Sequence, residues 1–167
     1  EMFNTGFVVE PQQIDKSAAA ITLIWMQKMA VLKNVTLTGS FIVQEEGDFY
    51  NRLYWVKPDG NYQTYNKRHL FSLGNEHLRF TAGEEQLLVD LKGWKIKPLI
   101  CYDLRFPVWA KNKYSSGNYD YDILIYLANW PAARSHAWKS LLVARAIENQ
   151  CYTIGVNRIG NDGHGTA

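Results

Sequence analysis

Three strand-like runs, 35–43, 49–57 and 61–66, are separated by short turn sequences, Glu45-Glu46-Gly47-Asp48 and Pro58-Asp59-Gly60. Connections that short join antiparallel neighbours, so this part of the chain is expected to form a meander. The runs 86–91 and 94–101 repeat the pattern around Lys92-Gly93, whereas 122–128 is apolar throughout, as a strand covered on both faces would be. From 11 to 34, Ile14, Ala18, Ile21, Trp25, Met29 and Leu32 recur at spacings of three and four. That spacing predicts an amphipathic helix with this stripe packed on a sheet rather than offered to a partner. A short helix is expected at 106–114, a longer one at 138–150 with Leu141, Leu142, Arg145, Ile147 and Glu148 on a half-buried surface, and a closing strand at 152–157. Antiparallel pairs mixed with strand–helix–strand units predict a layered α/β sheet protein without internal repeats or linkers.

The 167 residues, 47% hydrophobic and 20% charged, suit one soluble globular domain. Eighteen Lys and Arg against 16 Asp and Glu leave a formal charge of +2, too little for nucleic-acid binding to be the expectation. No apolar stretch approaches the ~20 residues of a membrane span. Two cysteines, Cys101 and Cys151, allow at most one disulfide, and a reducing, cytoplasmic location is expected. Gly160-x-x-Gly163-x-Gly165 lacks the Lys-Ser/Thr of a phosphate loop and reads as a turn.

Cys101 ends an apolar strand and is followed at once by the polar turn Tyr102-Asp103-Leu104-Arg105-Phe106-Pro107. A side chain at a strand-to-helix elbow projects into a cleft, and the amides that follow, beginning with Tyr102, point where an oxyanion would form. The bland alternative is a buried small hydrophobe. Cys151 has no such elbow and is read as core. A thiol needs a cation or base to ionise near neutral pH. Lys67 follows a predicted strand and is a candidate, although an ordinary surface lysine beside Arg68 is the commoner case. A cysteine–histidine hydrolase using His69, His77 or His136 is the rival. Metal binding is not expected, since no His-Glu-x-x-His or Cys-x-x-Cys occurs.

Three separated segments together resemble the nitrilase superfamily, the carbon–nitrogen hydrolases. Glu1-Met2-Phe3-Asn4-Thr5-Gly6-Phe7 is similar to the segment bearing the family's catalytic glutamate. Tyr65-Asn66-Lys67-Arg68-His69-Leu70-Phe71 resembles the one bearing its lysine, and Ile100-Cys101-Tyr102-Asp103-Leu104-Arg105-Phe106-Pro107 its nucleophile elbow. The additional glutamate falls on Glu76. Ala128-Asn129-Trp130-Pro131-Ala132 and Ala144-Arg145-Ala146-Ile147-Glu148-Asn149-Gln150 look most like the omega-amidase branch. The resemblance implies a four-layer α-β-β-α sandwich, usually a homodimer, without metal or organic cofactor. It also implies that 1–167 is a single hydrolase domain lacking its first strands and its C-terminal strands.

An amide is a poor electrophile, so its hydrolysis requires a strong nucleophile, charge stabilisation and a proton for the leaving ammonia. In the roles the resemblance implies, Glu1 moves the proton, Cys101 attacks, Lys67 and the Tyr102 amide hold the oxyanion, and Glu76 orients Lys67 or shares the base work. An oxyanion donor is commonly worth ~3–4 kcal/mol. The expected substrate is a small 2-oxo dicarboxylate monoamide, with Arg105 meeting its carboxylate and Phe3 and Trp130 forming an apolar wall. An ion pair of Arg105 with Asp103 or Glu148 is the structural alternative. The functional alternatives are another carbon–nitrogen hydrolase, such as a nitrilase or N-carbamoyl amidase, and an inactive scaffold.

Overall fold

Asp15 accepts hydrogen bonds from the backbone N–H (2.7 Å) and hydroxyl (2.6 Å) of Ser17, making the turn from which helix α1, Ala18–Lys33, starts. Asn34, left-handed at φ 51°, ends it by returning its N–H to the carbonyls of Ala30 and Val31. These are features of a computed structural model that describes residues 1–162 and 165–166; Gly163 of the glycine-rich run lies outside them. The chain folds as two compact units, 1–85 and 86–167.

In the first unit, β1 (Leu37–Glu45), β2 (Asp48–Val56) and β3 (Tyr62–Asn66) form the expected antiparallel meander, with Leu37 opposite Val56 and Glu45 opposite Asp48. Glu46 and Gly47, at φ 53° and 96°, make the tight turn between the first two strands. One sheet face carries α1, and Met26, Ala30, Phe41, Tyr54 and Val56 form the core there, with the Phe41 and Tyr54 rings stacked at 4.5 Å. The other face packs Ile42 with Met2 and Phe80.

The buried stripe of α1 is not the expected one. Thr22, Met26 and Ala30 face the sheet, while Ile21, Trp25 and Leu32 are 62%, 51% and 72% exposed. The reason lies in Ala18–Lys33 itself, which is apolar on nearly every side, so more than one stripe with helical spacing can be drawn through it. The face with the small residues Thr22 and Ala30 is the one that packs on β1 and β2.

In the second unit, β4 (Val89–Leu91), β5 (Trp94–Ile100), β8 (Ile123–Ala128) and β9 (Tyr152–Asn157) form a sheet in that order, antiparallel at β4–β5 and parallel thereafter. Between β5 and β8 lie helix α2 (Pro107–Ala110) and the small pair β6 (Tyr114–Ser115) and β7 (Asn118–Tyr119), a pair that the sequence pattern does not announce. Helix α3, Ser135–Asn149, crosses from β8 to β9 and packs on β9. Gly155 permits the approach, because a Cβ there would come within 2.5 Å of Leu142 and 2.7 Å of Trp138. Trp138, Arg145 and Asn149 are its buried residues, and Ile147, expected half-buried, is exposed.

Helix α2 is also shorter than the 106–114 predicted. Asn112 leaves the helical path because its N–H is taken by the Asn149 side chain (2.8 Å) and its amide donates to the Tyr121 carbonyl (2.8 Å). Each unit has one principal sheet with a long helix packed on it, and the fold class is mixed α/β. No helix among the described residues is long and apolar enough to cross a membrane.

Candidate active site

On the sheet face opposite α1, the first unit gathers a closed set of charges. The N-terminal residues are tied to β1 by Met2 N–H donating to Ser40 Oγ (3.0 Å) and Phe3 N–H donating to the Ser40 carbonyl (3.1 Å). Lys67 follows β3 directly, and its N–H donates to the Asn51 carbonyl (3.0 Å). Gly83 donates to the Lys67 carbonyl (2.9 Å) so closely that a Cβ would lie 2.2 Å from the Asn66 carbonyl oxygen. Glu76 opens a short 3-10 turn, reached through Asn75 at φ 59°.

These supports deliver Lys67 Nζ to 2.7 Å from Glu1 Oε1 and 2.8 Å from Glu76 Oε2, with all three side chains shut away from solvent. Glu76 Oε2 also accepts the Phe71 N–H (2.7 Å). Asn51 Nδ2 closes the ring, donating to Glu1 Oε1 (2.9 Å) and Glu76 Oε1 (3.1 Å). Buried charges persist only when paired and hydrogen-bonded. Two carboxyl groups thus share one lysine and one amide donor in this set.

In the second unit Cys101 takes φ 42° at the end of β5, a left-handed conformation that bends the strand into a 3-10 turn over Cys101–Arg105. The elbow expected from sequence is therefore present, and its thiol is partly exposed. Buried Asp103 braces the turn by accepting the Ile100 N–H at 3.0 Å. From α3, buried Arg145 donates to the Leu104 carbonyl (2.7 Å) and pairs with Glu148 (2.8 Å). Tyr102 sets its ring edge-on against Phe106 at 5.3 Å.

Arg105 is exposed and places its guanidinium 5.2 Å from the centre of the Trp130 ring, while Glu148, one of its expected acidic partners, is held by Arg145. Trp130 is buried against Trp138 and donates its indole N–H to the Arg134 carbonyl (2.9 Å). Phe3 does not join the charged set; it packs on Trp25 and Phe41, on the α1 side of the sheet. His77 and His136 are exposed and His69 is half-buried. Cys151, expected in the core, is half-buried, its thiol pushed up by desolvation. No group of three His, Cys, Asp or Glu among the described residues could hold a metal ion.

Sequence reasoning missed Asn51. Its signal was present, because Phe49, Asn51, Leu53 and Trp55 alternate along one face of β2 and a lone amide at an inward position of an otherwise apolar row is unusual.

Comparisons with known proteins place the chain in a family. The family model described as carbon-nitrogen hydrolase matches residues 1–166. The chain is 46% identical to omega-amidase YafV of Escherichia coli K12 across 99% of its own length, and 41% identical to 2-oxoglutaramate amidase of Bacillus subtilis across 97%. It spans 62% of the length of each of these relatives. The crystal structure of XC1258 from Xanthomonas campestris, a CN-hydrolase superfamily protein with an arsenic adduct in its active site, superposes with a TM-score of 0.94 at 46% identity. That match covers 99% of this chain and 64% of the other. By family model, by relatives and by fold, the chain belongs to the carbon-nitrogen hydrolase family.

Proposed function

We propose that this chain carries the hydrolytic residues of an omega-amidase-type enzyme, which cleaves the terminal amide of a small 2-oxo dicarboxylate monoamide through a cysteine thioester. The observation that carries the reading is Lys67, shut from solvent between Glu1 and Glu76 at 2.7 and 2.8 Å. A lysine so placed is fixed in position, which suits an oxyanion donor.

In this reading Glu1 takes the proton of the Cys101 thiol as sulfur attacks the amide carbon, and the carbonyl oxygen gathers negative charge against Lys67 and the Tyr102 N–H. Collapse breaks the C–N bond, and Glu1 returns the proton to the departing nitrogen, releasing ammonia. Glu1 then deprotonates a water that attacks the thioester, and the C–S bond breaks to give the acid and restore the thiol. Glu76 holds Lys67 throughout. Residues 1–167 act in this scheme as one carbon-nitrogen hydrolase domain.

The relatives' names, omega-amidase and 2-oxoglutaramate amidase, support this choice of substrate. Arg105, exposed and steadied on the Trp130 ring, is the residue assigned to the distal carboxylate. Ammonia release from 2-oxoglutaramate and from its neutral ester, by wild type and by Arg105→Gln, tests the assignment. The acid should be preferred, and the variant should raise its KM alone. Equal rates on both compounds, or a preference for nitriles or N-carbamoyl compounds, would refute the substrate while leaving the cysteine mechanism intact.

A further inference from the structure

We infer that Asn51 is a positioning residue for this hydrolysis: its amide nitrogen, shared between Glu1 and Glu76, holds the two carboxyl groups at a fixed separation around Lys67. The inference rests on the proposed function for its meaning, and on geometry for its content. Asn51 Nδ2 has two hydrogens, and both are committed, one to Glu1 Oε1 at 2.9 Å and one to Glu76 Oε1 at 3.1 Å. Lys67 Nζ bridges the same two side chains at 2.7 and 2.8 Å, so the four groups close into a ring with a carboxylate at every second position.

The orientation of the amide is not arbitrary. Turned over, its carbonyl oxygen would face two carboxylate oxygens, so only the NH2 end can meet them. The other end is the telling one. Asn51 is 1% exposed, and its Oδ1 is buried without a hydrogen-bond partner among the described residues. A side chain chosen only for packing between Phe49 and Leu53 would be apolar and would leave no orphan acceptor. The amide is kept at that cost because it answers a charge problem.

One ammonium cannot balance two buried carboxylates, and a second cation would abolish the free base. A neutral double donor stabilises the ionised form of both carboxylates without adding charge. Glu1 and Glu76 meet the Asn51 amide and Lys67 bridges the same two carboxyl groups, while the neighbouring Arg52 is turned to Glu45 and to Asn66.

The test uses the full-length enzyme with Asn51→Leu, which removes both donors at similar volume, and Asn51→Ser, which keeps one. The expected result for Asn51→Leu is a fall in kcat of about tenfold or more with little change in KM. The acid limb of its pH profile should move up by about one pH unit. Asn51→Ser should fall between this variant and wild type. A loss of activity with an unmoved acid limb would assign Asn51 a packing role only and overturn the inference, as would an unchanged kcat. If Asn51→Leu does not fold, the limb of Asn51→Ser decides. If the wild type releases no ammonia, the proposed function fails, and carbon-13 NMR titration of glutamate carboxyls in wild type and variants still decides: no upward movement of the site carboxylates overturns the inference.

Discussion

Replacing Lys97 by methionine should remove a pH-dependent penalty from the second unit. Lys97 lies in β5 at 2% exposure, and its Nζ donates to Gln86 Oε1 (2.8 Å) and the Trp109 carbonyl (2.7 Å), both neutral. Desolvation brings its pKa from 10.5 down to about 8, against the pull of Asp120 and Asp103 and with help from Lys113. Between pH 8 and 10.5 the unfolded chain still binds a proton that the folded chain has released. Stability therefore rises with pH across that window, and the penalty is complete below it. At about 1.4 kcal/mol per pH unit, the interval corresponds to about 3 kcal/mol.

Lys97→Met loses this contribution and, at every pH, also leaves the Gln86 and Trp109 oxygens without their donor. Other lysines titrate in both proteins and cancel in the difference, and Tyr121, whose ring lies 5.6 Å from Nζ, is pushed by burial well above the window. Urea unfolding of full-length wild type and variant at pH 7, 9 and 10.5 reads the effect. The stability of wild type relative to the variant should improve by about 3 kcal/mol from the first pH to the last. A difference that stays flat with pH would refute the reasoning.

Cys101→Ala should abolish ammonia release at matched folded concentration, while Cys151→Ala, whose half-buried thiol is pushed up by desolvation, should retain it; equal losses would overturn the nucleophile assignment. Lys67→Met should lower turnover by ~10² or more, and if His69→Ala instead kills an enzyme that tolerates Lys67→Met, a histidine base replaces this scheme. On α1, Met26→Ala should cost about 2–4 kcal/mol in urea unfolding and Ile21→Gln less than about 0.5, the reverse of what a buried Ile21–Trp25–Leu32 stripe would require.

Strand positions were legible because turn chemistry is local: Glu46-Gly47 and Lys92-Gly93 announce hairpins, and the observed hairpins turn there with positive φ. Which side of α1 is buried was not legible, since a helix apolar all round carries no contrast and only the sheet decides. Helix α2 was overextended because Asn112 is drawn aside by Asn149, a residue 37 positions away that no local window includes. The elbow could be read from an apolar strand running into a polar turn. Glu1 and Glu76 could not be read from pattern alone, because a buried carboxylate resembles a surface one until its lysine is found; the motif resemblance supplied them. Asn51 belonged to no such motif, and its role emerges only where the chain brings distant donors and acceptors together.

The left-handed backbone at Cys101 also limits what chemistry position 101 could host. At φ 42° a residue with one substituent on Cβ is strained but admissible, whereas a β-branched side chain clashes with its own backbone. Serine can stand in the elbow and exchange sulfur for oxygen with the loop unmoved; threonine would have to open the loop to fit. Of the three side chains that serve as hydroxyl or thiol nucleophiles in amide hydrolysis, this backbone therefore admits two, and a lineage carrying it could change its reacting atom but could not adopt a threonine without rebuilding the turn.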